Sequence, residues 1–76
     1  MAAYPVIEKA LQAWDRADSP AAHSKAAQGW MRAIEQVKQD GGDVSKANSQ
    51  TRKRLGDGDN ALMRQVGIEA QRRRER

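Results

Sequence analysis

The strongest constraint on this chain is its punctuation: Pro5, Ser19-Pro20, Gly41-Gly42 and the run Gly56-Asp57-Gly58-Asp59-Asn60. Proline suits a first helical position, where its missing N–H has no partner to lose, and a serine just before it can cap the free amides of a helix start. Glycine takes the left-handed backbone that ends many helices, and Gly/Asp/Asn clusters make turns. The segments between these marks are long enough for helices, and their connections are short.

Each segment carries apolar residues at helical spacing. The first helix is predicted from Pro5 to about Asp18, with Ile7, Leu11 and Trp14 at i, i+4 and i+7, flanked by Val6 and Ala10. A second follows Ser19-Pro20 to about Gln39, with Ala26, Ala27, Trp30, Ala33, Ile34 and Val37 on one side. The short link between them predicts an antiparallel hairpin. Gly29 inside the second helix predicts close packing against a bulky neighbour such as Trp14. Asp43 or Ser45 can cap a third helix ending near Leu55, in which Val44, Ala47, Thr51 and Leu55 share a side. Asp59 is a candidate cap for a fourth helix starting near Asn60, whose Leu62, Met63, Val66 and Ala70 can face a core. Gly67 is a weak point in it. The expected fold is therefore all-α, a bundle of four short helices: an N-terminal hairpin, then a helix-turn-helix-like pair. One domain over residues 1–70 leaves a basic, frayed tail over 71–76.

With 76 residues, two Trp, one Tyr and no Phe, the core must rest on small and aliphatic side chains. Chains this short bury only about 60% of the surface their unfolded form exposes, so help from a partner or a second copy is a natural expectation. Trp14 and Trp30 sit on apolar helical faces, and core packing is their expected role. The absence of Cys removes disulfides, thiolate zinc sites and cysteine nucleophiles, which fits a cytoplasmic protein. No apolar run resembles a signal segment or approaches the ~20 residues of a membrane span, so no membrane partner is expected.

Enzymatic chemistry is not expected. A single histidine, His23, falls in the first turn of the second helix and reads as solvated, without neighbouring metal ligands in sequence. Asp57-Gly58-Asp59-Asn60 invites a calcium reading. Counted from Asp57, however, the fifth loop position is Ala61 and the twelfth, where a bidentate Glu belongs, is Ile68. Turn and cap is the better reading, and no cofactor is implied.

Charge carries the functional signal. Residues 1–42 balance five bases (Lys9, Arg16, Lys25, Arg32, Lys38) against five acids (Glu8, Asp15, Asp18, Glu35, Asp40), so the net charge of +4 belongs entirely to residues 43–76. That half holds Lys46, Arg52, Lys53, Arg54, Arg64, Arg72, Arg73, Arg74 and Arg76, mostly arginine, which favours bidentate contact with phosphate or carboxylate. A basic helix, a glycine-containing turn and a second helix with a basic end follow helix-turn-helix grammar.

Across residues 30–70, Ala33-Ile34, Val37, Gly42, Arg52-Lys53-Arg54-Leu55-Gly56-Asp57-Gly58, Leu62 and Val66 form a pattern that resembles the N-terminal DNA-binding region of plasmid KfrA-type proteins. That region has an apolar helix, a glycine, a basic helix ending in an Arg-Leu-Gly-x-Gly-like stretch, and then a recognition helix. The resemblance implies a helix-turn-helix with Asn60 to Arg64 opening the recognition helix. Asp43-Val44 stands where that family has Pro-Thr.

The expected function is thus duplex-DNA binding, as a homodimer. Lys46, Arg52, Lys53, Arg54, Asn60, Arg64, Arg72, Arg73, Arg74 and Arg76 are the candidate contacts. The alternative is a phage- or plasmid-type inhibitor or adaptor whose hairpin or Arg-rich end docks on an acidic protein surface. A third reading makes the basic end a solubilising tail.

Overall fold

Ser19 caps as its position predicts: its hydroxyl accepts from the Ala22 amide at 3.1 Å, and Pro20 opens the helix. Asp43 does the same for the third helix, its carboxylate accepting from the Ser45 and Lys46 amides at 2.9 and 3.3 Å. In the computed structural model, which describes residues 4–56 and 61–74, the helices are α1 (Pro5–Arg16), α2 (Pro20–Gln39), α3 (Val44–Leu55) and α4 (Ala61–Arg74). No strand occurs among the described residues. α1 stops two residues short of the expected Asp18, its end passing through extended backbone at Ala17. α4 runs past the expected boundary at residue 70 to Arg74. The Asp57–Asn60 turn, with the Asp59 cap, lies outside the described residues.

α2 is the central element, packed by α1, α3 and α4, and the expected α1–α2 hairpin is present. α3 also rests on α1, whereas α3 and α4 meet mainly through α2 rather than through each other. Ile7 and Leu11 of α1, Ala27, Trp30, Ala33 and Val37 of α2, Ala47 of α3 and Leu62 of α4 form the core. Trp30 is its one aromatic side chain, and the alanines around it let the helices close on that ring. Its indole N–H donates to the Thr51 hydroxyl at 3.0 Å, which in turn donates to the Ala47 carbonyl at 3.0 Å. A threonine that is 1% exposed is thereby fully satisfied.

α2 ends in a Schellman arrangement. The Gly42 amide donates to the Val37 carbonyl at 2.8 Å and the Gly41 amide to Lys38 at 3.1 Å, with Gly41 at φ +78°. Gly42 matters for a different reason. A Cβ there would lie 2.8 Å from Val37 Cγ1, 3.0 Å from the Val37 carbonyl and 3.1 Å from the Tyr4 hydroxyl. Gly42→Ala is therefore expected to destabilise the fold by about 1–3 kcal/mol, because a backbone atom cannot yield as a side chain can. Urea unfolding followed by circular dichroism measures this, and an unchanged midpoint would show that the turn relaxes without cost.

Two expectations fail on packing. Gly29 does not sit under Trp14, since a Cβ built there would meet only the Arg32 guanidinium, at 4.0 Å. His23 is not a fully solvated residue: it is half-buried against Trp14, with ring centroids 4.5 Å apart and planes tilted by 56°. The hairpin connection is short enough to fold the start of α2 back over the end of α1, which brings those rings together. Gly67 has open space around its Cα.

Candidate functional site

α3 holds four of the candidate contacts and no acid, and its surroundings divide them into two groups. The first faces α1. The Gln50 side-chain amide brackets the Tyr4 main chain, accepting from its amide at 2.9 Å and donating to its carbonyl at 3.3 Å. One turn later Arg54 forms ion pairs with both Glu8 and Asp15, which lie seven positions apart on one side of α1. The Tyr4 hydroxyl accepts from the Asp43 amide at 2.8 Å, so the start of α1 is tied to the N-cap of α3 as well as to its middle. Arg54 is thus committed to holding α3 on α1.

The second group faces solvent. Ser45, Lys46, Ser49, Arg52 and Lys53 recur at i, i+1, i+4, i+7 and i+8, the spacing of a single helix face. Its three bases are exposed, and the buried Ala47 and Thr51 lie on the other side. Lys46 and Lys53 are in no ion pair among the described residues. The two acids of α1 nearest this helix are already answered by Arg54, and the Asp43 carboxylate is occupied by its capping bonds. Among the described residues no acid lies on this face. The cluster Arg52, Lys53 and Arg54 also offsets the negative C-terminal end of the helix dipole.

α4 contributes Arg64, Arg72, Arg73 and Arg74, all exposed. The last three form its final turn, and Arg72 reaches back to Glu69 at 3.4 Å. Asn60 and Arg76 lie outside the described residues.

Glu69 itself was not legible as an inward residue. It is 4% exposed, and its carboxylate accepts from Ser24 Oγ at 2.6 Å, Gln65 Nε2 at 2.8 Å and Gln28 Nε2 at 3.1 Å, besides Arg72. The Ser24 hydroxyl bond, followed by the Gln65 amide, lowers its pKa below the ordinary carboxylate value, with Arg72 and Gln28 adding to them. Partial desolvation pulls the other way and loses. A signal did exist: Glu69 falls seven positions after Leu62 and so shares its inward face, while Ser24 and Gln28 sit four apart on α2.

Among the described residues no three His, Asp or Glu side chains come together to hold a metal ion. No helix of the described residues is long and apolar enough to cross a membrane. Compared with protein-family models, curated proteins and solved structures, the chain finds no match.

Proposed function

We propose that this protein binds duplex DNA, using the solvent face of α3 and the arginine-rich end of α4 as phosphate contacts. The observation that carries the reading is the acid-free face of Lys46, Arg52 and Lys53, on a helix whose fourth base, Arg54, engages the two acids of α1 beside it. A helix of about 10–12 Å diameter fits a major groove about 12 Å wide, and serines at positions 45 and 49 can add hydrogen bonds to phosphate oxygens. Arg72, Arg73 and Arg74 add further bases from the last turn of a second helix. The bulk of affinity in such a design is electrostatic, so it must fall steeply with salt.

Anisotropy titration of a labelled duplex tests this. The three α3 contacts alone, at a slope of about −0.9 each, weaken binding roughly 40-fold between 50 and 200 mM salt, and contacts from α4 steepen the loss further. Combined Lys46→Ala, Arg52→Ala and Lys53→Ala should flatten the slope of log affinity against log salt by about 3, with helix content intact. Arg54→Ala is the contrasting variant. Its exposed ion pairs are worth at most about 1 kcal/mol of stability, and its loss leaves Glu8 and Asp15 unopposed beside α3. No binding at low salt, or a triple variant that binds as the parent does, would remove the proposal.

A further inference from the structure

We propose that a second surface, the open groove between α1 and α2, docks an acidic amphipathic helix of a partner protein. The groove encloses about 410 Å³. Its apolar lining is Ala10 and Ala13 from α1 with Ala22, Ala26 and Gly29 from α2. Every other lining residue is a cation: Lys9, Lys25 and Arg32. None of these three is in an ion pair among the described residues, and no acid lines the groove. Lys9 and Ala13 lie on a different face of α1 from Glu8 and Asp15, so this surface is separate from the one that seats α3.

Gly29 has no internal explanation. It is mid-helix, its φ is not positive, and no side chain of the protein needs the space beside it. A helix forfeits about 1 kcal/mol for glycine relative to alanine at such a position. What the glycine does is keep the groove wall at backbone level, as a close approach from outside requires.

The shape selects the occupant. From Ala22 to Arg32 the α2 wall runs about 15 Å, close to three helical turns. A groove this open cannot cover the 70–90% of surface that a small ligand normally buries. An alanine floor offers nothing to a phosphate backbone, whereas small apolar residues at i, i+3, i+4 and i+7 of a helix can lie along it. Glu or Asp on the flanks of that helix would meet Lys9, Lys25 and Arg32, the complementarity that sets orientation and association rate.

The probe is a labelled synthetic peptide of about five helical turns, with Ala and Leu along one seam and Glu on both flanks, titrated against the full chain by anisotropy. A peptide of identical composition with the seam scrambled is the reference. The expected result is saturable binding of the patterned peptide alone, weakened at least about tenfold by Gly29→Leu. Leucine is a better helix former than glycine and its Cβ would meet only a flexible guanidinium, so the variant is expected to keep the parent's helical circular dichroism, with duplex-DNA affinity unchanged. Lys9→Glu with Arg32→Glu should transfer preference to a Lys-flanked peptide. Equal binding of the scrambled peptide, or no effect of Gly29→Leu, overturns the proposal. It is also overturned if sedimentation shows self-association abolished by Gly29→Leu, or if vesicles containing anionic phospholipid bind through the three cations while the peptide does not.

Discussion

Trp30→Ala is expected to remove about 3–5 kcal/mol of stability, the largest loss from any single truncation in this core. Trp30 is 6% exposed and is the only aromatic residue in the fully buried core, where its neighbours are alanines and a few aliphatic chains. Truncating such a residue costs about 3–5 kcal/mol. Total stability at 0.05–0.15 kcal/mol per residue comes to roughly 4–11 kcal/mol for a chain of this length. Alanines cannot collapse far enough to fill the space, because the helices they belong to are already in contact. Trp30→Phe separates volume from hydrogen bonding: it keeps a ring but deletes the donor to Thr51, whose hydroxyl still donates to Ala47. The expected loss there is smaller, about 1 kcal/mol for the bond plus a modest packing term. Far-ultraviolet circular dichroism and urea titration read both variants. A cooperative Trp30→Ala transition near the parent midpoint would mean that the core does not depend on this ring.

Acid should destabilise the protein through Glu69. Its folded pKa lies below the ordinary carboxylate value, held there first by the Ser24 hydroxyl. A depressed folded pKa means that the unfolded chain takes up the proton first. The stabilisation is therefore complete above the unfolded pKa and is lost as pH falls through the folded one. Between pH 6 and about pH 3 the parent should thus lose melting temperature more steeply than Glu69→Gln, since the amide has no proton to gain in that window. At pH 7 Glu69→Leu should be the worse variant, because it strands the Ser24, Gln28 and Gln65 donors around an apolar side chain. Thermal melts across that range decide it. Parallel acid limbs for the parent and Glu69→Gln would show that the carboxylate's hydrogen bonds add nothing to the charged form.

The two variants also show why parts of this structure were legible and parts were not. Trp30 is recognisable because its inward position is set by periodicity along α2, which any reader of the sequence can count. Glu69 has the same periodicity as Leu62, yet its residue type argues for solvent. Only the Ser24 hydroxyl and the Gln28 amide that α2 presents from 45 and 41 positions away, together with Gln65 on α4, make an inward carboxylate tolerable. Gly29 fails in the opposite sense. A glycine in mid-helix announces a close approach, but the side chain expected above it, Trp14, is instead engaged by His23.

The candidate site divides along the same line. That residues 43–76 carry the positive charge follows from composition, and that Lys46, Arg52 and Lys53 share a face follows from helical spacing. That Arg54, one residue later, is withdrawn from that face does not follow from either. Its partners Glu8 and Asp15 lie 46 and 39 positions away, and they come within its reach where Gln50 and the Asp43 amide also bind Tyr4.

By itself, the sequence determined the helices and their apolar stripes, because prolines, caps, glycines and side-chain periodicity act within a few residues of one another. The tertiary structure alone decided which charges are spent inside the fold and which remain on its surface, and which glycine borders open space. Those outcomes depend on distances between segments remote in sequence, and an ion pair or a buried carboxylate is favourable only where its partners arrive at the same point.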